Sequence, residues 1–235
     1  GNYGDTGVLA IATTLASIFT IIPSAFATFW SPFMYEKYKE QQPMIKKTHN
    51  YVVFGALIIV IGIVAFQDIL YLLLGEKYRV SQAYFMLIMI NPIQNLINET
   101  TSYGISIVKK TYYNMIMTVI GVLLNLVSCF IFVPRFGAMG AAVGVAVSSV
   151  FLWISLTVIG QKFYSSITSP LKTLSGSFLI FILCVANSFV CDKLIPKIIV
   201  CLACLVLGLI LYRKELSEMG GAVSNFFKKR RSLSQ

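Results

Sequence analysis

Acidic side chains are scarce here: nine Asp and Glu stand against nineteen Lys and Arg in 235 residues, with a single histidine, His49. That scarcity leaves little from which to build an acid–base or metal centre. No two carboxylates share helical spacing within an apolar run, no Gly-rich loop forms a phosphate cradle, and no Ser, His and Asp set suggests a nucleophile. The five cysteines, Cys129, Cys184, Cys191, Cys201 and Cys204, fall within or at the ends of apolar runs and make no metal set. Cys201-x-x-Cys204 has redox spacing, but a thiolate there is costly, and the pair reads as small hydrophobes. Neither an enzyme nor a bound metal or cofactor is expected. Alternating polar and apolar residues are also missing, which excludes the wall of a membrane barrel.

What remains is apolar. Charged residues make up 12% and hydrophobic ones 57%, with a mean hydropathy of +0.80, whereas a soluble domain carries about 25% and 45–50%. Seven runs, at roughly 7 to 30, 51 to 75, 83 to 108, 112 to 134, 137 to 159, 174 to 190 and 194 to 212, approach the length needed to cross about 30 Å of hydrocarbon. Lipid gives backbone groups no partners, so each run is expected to be a helix. Asp192, Lys193 and Pro196 separate the last two. The expected fold is an all-α integral membrane domain over residues 1–212, followed by a basic tail, 213–235.

The basic residues fall into two sets. Lys37, Lys39, Lys46, Lys47, Lys109, Lys110, Lys162, Lys172, Arg213, Lys214, Lys228, Lys229, Arg230 and Arg231 share one face, while Lys77, Arg79, Arg135, Lys193 and Lys197 share the other. Because Lys and Arg are retained on the cytoplasmic side, the C-terminus is expected inside a cytoplasmic membrane and residue 1 outside. The pI of about 9.4 then records topology, and a nucleic-acid partner is not expected. An odd number of spans starting outside leads us to expect a preceding, N-terminal lobe. The tail, with Phe226 and Phe227 before Lys228–Arg231, either lies on anionic lipid or simply pins the last helix.

Polar residues inside the runs are few and grouped. In "YFMLIMINPIQNLINETTSYGISIV", Asn91, Gln94, Asn95, Asn98, Glu99 and Ser102 recur at spacings of three and four, one face of a helix. Pro92 should loosen the backbone ladder where that stripe begins. Such a stripe either lines a water-filled cavity or binds helices to one another. Asn98-Glu99-Thr100 matches a glycosylation acceptor but lies within a run, where the match is chance. Asn125 is expected to stitch helices. In "VPRFGAMGAAVG", Pro134 should end one span and Gly137, Gly140, Ala141 and Gly144 should start the next on a face of small residues, a tight antiparallel hairpin.

Several stretches occur in an order that resembles the C-terminal part of Wzx-type polysaccharide and O-antigen flippases, in the MATE-like multidrug/oligosaccharidyl-lipid/polysaccharide superfamily. These are "GNYGDTGVLAIATTLASIF", Trp30-Ser-Pro32 with Tyr35 and Lys37, "LLLGEKYRVSQAY", the basic turn Lys109-Lys110, and Asn125 followed by "FVPRFGAMGAAVGVAVSS". They cover residues 1 to about 150. The resemblance implies one lobe of a two-lobed transporter with twelve to fourteen spans, passing an undecaprenyl-pyrophosphate-linked oligosaccharide between leaflets for capsule or O-antigen. A missing N-terminal lobe, membrane lipids and the lipid-linked sugar would be its partners. Pyrophosphate calls for cations, and no run holds one at its middle; Lys109 and Lys110 are the nearest headgroup candidates. An ion-coupled antiporter of the same superfamily and a membrane scaffold are the rivals. The first would want more acids than Glu99 within its spans, and the second has no need of the amide stripe.

Overall fold

The computed structural model describes residues 3–74, 76–190 and 194–218. These residues are almost wholly helical, with no strand among them. The helices are α1 (Tyr3–Ile18), α2 (Ile21–Lys37), α3 (Gln42–Leu74), α4 (Gln82–Thr101), the short α5 (Tyr103–Ile107), α6 (Tyr112–Phe136), α7 (Ala138–Phe163), α8 (Pro170–Val190) and α9 (Leu194–Leu211). A 3-10 segment, Glu76–Ser81, leads into α4. Five helical stretches are long and apolar enough to cross a membrane: Gly7–Lys37, Gln42–Leu74, Tyr112–Phe136, Ala138–Phe163 and Pro170–Phe189. The apolar part of α9, Ile195–Leu211, is shorter, and α4 has the length but is diluted by its amides.

Several boundaries differ from those expected of the sequence. The first run breaks at Phe19 and Thr20, because Pro23 has no N–H to offer the Phe19 carbonyl four residues back. That carbonyl takes the Ile22 amide at 3.2 Å instead. The third run divides at Ser102, whose Oγ donates to the Asn98 carbonyl (2.8 Å). In contrast, α4 runs on through Pro92 without a break. The helix before the hairpin continues through Pro134 to Phe136 and ends at Gly137, whose φ of 56° suits glycine. Gly140 then packs so close to Phe132 that a Cβ there would meet its carbonyl group.

The largest correction concerns residues 42–50. They lie ahead of the run expected at 51 to 75, yet they make the first turns of α3, entered at Gln42-Pro43. His49 is fully buried there, with Nδ1 2.7 Å from Thr100 Oγ1 and Nε2 2.8 Å from Thr173 Oγ1. Polar composition concealed a helix that buries Ile45, His49 and Val53 along one side.

Helix α4 lies at the centre, packed against α1, α2, α3, α7 and α8, while α6 packs on α7 and α9 on α3 and α8. Close backbone approach fixes the main crossing. A Cβ at Gly104 would collide with the Gly160 carbonyl, and one at Gly160 with the Thr101 carbonyl, the small-residue contact by which helices pack in lipid.

Polar clusters tie each end. At the basic end, Asn50 Nδ2 donates to Glu215 (2.9 Å) and Lys172 pairs with the same carboxylate at 2.5 Å. Tyr164 Oη donates to the Tyr38 carbonyl (2.7 Å), and Gln42 Nε2 to that of Ser165 (3.0 Å). At the other end Asp68 takes Lys197 at 2.7 Å and the Gln82 amide. Nearby, Gln67 and Asn187 exchange amide hydrogen bonds of 2.9 and 3.2 Å. The tail residues Phe226 to Arg231 and the hinge residues Asp192 and Lys193 lie outside the described residues.

Candidate functional site

Each candidate on α4 can be placed. The helix forms because "QAYFMLIMINPIQNLINETT" is a run of strong apolar residues through which amides pass at three- and four-residue intervals. Sixteen of its twenty residues are buried, so only a narrow edge is open. Along that edge lie Asn91, half-buried, Asn95, exposed, and then Glu99 and Ser102, both half-buried. They span about 16 Å of helix. Gln94 and Asn98, on the same face, are buried.

The open edge is held as a chain of contacts. Asn95 Nδ2 donates to Asn91 Oδ1 (3.2 Å), and Asn91 Nδ2 donates to Ser149 Oγ on α7 (3.1 Å). Glu99 accepts a long hydrogen bond from Tyr103 Oη (3.4 Å), whose ring meets that of Tyr35 edge-on. The expected stripe thus divides: four residues make the open edge, and two are covered by packing. Among the described residues Gln94 Oε1 and Asn98 Oδ1 have no hydrogen-bond partner. An unpaired buried acceptor is costly, so packing alone does not explain these two amides.

The cationic candidates sit one short helix further on. Lys109 and Lys110 are both exposed, in the turn between α5 and α6. Lys109 adopts φ 58°, with its amide bonded to the Ser106 carbonyl (3.0 Å) and that of Lys110 to Ile105 (3.1 Å). This is a Schellman-type helix end, in which glycine is the usual residue. Lys110 Nζ lies 5.1 Å from the centre of the Phe163 ring. The two lysines therefore mark the end of α5, the short helix that follows the open edge.

Sequence reasoning missed the partners. Ser149 carries no signal of its own inside "GAAVGVAVSSV", and Gln161, which donates to the Thr101 carbonyl (3.2 Å) and to Ser166 Oγ (2.6 Å), lies just past the run expected at 137 to 159. Asn125 does stitch helices, donating to Ser148 Oγ on α7 at 3.3 Å. Cys184, Cys201 and Cys204 are free and join the apolar interior. Among the described residues no three His, Cys, Asp or Glu side chains are grouped to hold a metal. Compared with models of known families, with curated proteins and with solved structures, the chain matches none.

Proposed function

We propose that this chain is one lobe of a flippase that carries a lipid-linked oligosaccharide between the leaflets of a cytoplasmic membrane, with seven crossings and its C-terminus inside. The observation that carries the reading is the open edge Asn91–Asn95–Glu99–Ser102 on the helix that is otherwise the most buried. Amides both donate and accept, as sugar hydroxyls do, and such groups at membrane depth are expensive unless they line a polar path. Lys109 and Lys110 supply cations at one mouth of that path for a pyrophosphate. A second lobe, rocking against this one, would close the other wall.

The test uses the intact protein in vesicles carrying a polyprenyl-pyrophosphate-linked trisaccharide, with leaflet exposure read by an impermeant glycosidase. Protein-containing vesicles should expose the inner-leaflet sugar at least tenfold faster than empty ones, and Asn95→Leu should remove most of the gain. Exposure no faster than in empty vesicles would reject the reading. Glu99, on the same edge, favours one rival, an ion-coupled antiporter. Drug efflux driven by an ion gradient and abolished by Glu99→Gln, with no sugar exposure, would establish it.

A further inference from the structure

A second surface lies between α7 and α8, with Leu87 and Gln94 of α4 among its lining residues. Helices α7 and α8 are joined by residues 164–169 but diverge, leaving three adjoining cavities of about 580, 500 and 350 Å3 between them. Trp153, Ile154 and Leu174 line both the first and the second, and Val150 and Phe181 both the second and the third, so the three form one groove. Its walls are apolar and open to the side: Ile154 is 45% exposed and Leu174 52%. Its mouth, at the basic end, holds Lys46 and Lys162, neither of which has an ion pair among the described residues. Gln161 fixes the mouth by accepting the Ser166 and Ile167 amides at 3.0 and 3.1 Å. Within, Trp153 is 5% exposed and its Nε1 has no hydrogen-bond partner.

We propose that this groove holds one resident anionic phospholipid, its phosphate between Lys46 and Lys162 and one acyl chain along Trp153, Ile154 and Leu174. The dimensions agree. From Lys162 to Val150 the helix rises about 18 Å, close to the depth of one leaflet of a hydrocarbon core about 30 Å thick. Two unpaired cations above an apolar wall attract a charged headgroup over a zwitterionic one, and basic pockets between helices at the membrane surface are common headgroup sites. Gln94 lines this groove, but none of the open-edge residues Asn91, Asn95, Glu99 and Ser102 does, and the proposal stands whether or not the flippase reading holds.

The chain has two tryptophans, and Trp30 is buried against Phe26 and Phe33 near α4. In Trp30→Phe, therefore, Trp153 alone reports. The full protein is placed in phosphatidylcholine vesicles with rising fractions of acyl-dibrominated phosphatidylglycerol or, in parallel, dibrominated phosphatidylcholine. Quenching of Trp153 should reach its half-maximum at a fivefold or lower fraction of the anionic lipid, and Lys46→Gln with Lys162→Gln should erase that preference. Equal curves for the two lipids, or a preference that survives the double substitution, overturns the proposal. So does loss of the preference in millimolar inorganic phosphate, which would mark a simple anion site. Should Trp30→Phe not fold, the difference between the wild-type chain and Trp153→Phe isolates the same signal.

Discussion

Helices α4 and α6 invert the rule learned from soluble proteins. The more polar one, with its amides and Glu99, has sixteen of its twenty residues buried, whereas the strongly apolar α6 buries only Gly121 and Ser128. Phe130 on α6 is 87% exposed and Leu126 60%. In lipid an apolar surface has no reason to hide, and the interior is chosen by close packing and by polar groups that need partners. The comparison teaches that hydropathy here marks what faces lipid, while the amides mark the centre.

Substitutions can break that contrast. The largest effect is expected at Gly160→Leu, whose side chain would enter the Thr101 backbone on α4. It should cost about 3 kcal/mol or more, seen as a lower melting temperature in detergent, whereas Leu123→Ala on the exposed face of α6 should change stability by less than about 0.5 kcal/mol.

Lys172→Met should cost about 1–2 kcal/mol, because it leaves the Glu215 carboxylate short of its ion pair. It should also change the pH response. Burial alone would raise the Glu215 carboxyl, but hydrogen bonds from Lys172, its own backbone and Asn50, with the charge of Lys172, outweigh it and hold the group below its ordinary 4.5. A depressed carboxyl contributes stability above its unfolded value and loses it as pH falls through the folded one. The basic end should therefore loosen only below about pH 4.5, and Lys172→Met should flatten that dependence in a thermal-melt series.

The smallest effect concerns Lys109. A non-glycine residue in the left-handed region costs about 1 kcal/mol, so Lys109→Gly should stabilise the protein by up to that amount. A fall in sugar exposure despite the gain would tie the ammonium to the headgroup, and unchanged exposure would reduce Lys109 to a helix end.

Much of this arrangement was legible in the residues. Gly137 and Gly140 gave the hairpin because backbone conformation and close approach are local demands. The spacing of Asn91 to Ser102 gave one helical face, for the same local reason. It did not divide that face into an open edge and a buried side, since the division depends on where α7 and α8 pass. His49 escaped because the turn around it is polar, and its partners Thr100 and Thr173 lie on other helices. The break at Phe19 was legible in Pro23 but was masked by the unbroken run of apolar residues.

The central claim is that the α4 edge faces water while α6 faces lipid. It is tested most directly by single cysteines at Asn95 and, as the lipid-facing reference, Leu123, in the otherwise cysteine-free intact protein, reacted in membranes with a water-soluble maleimide. The account predicts that Asn95→Cys reacts at least tenfold faster than Leu123→Cys. Equal rates at the two positions would contradict it.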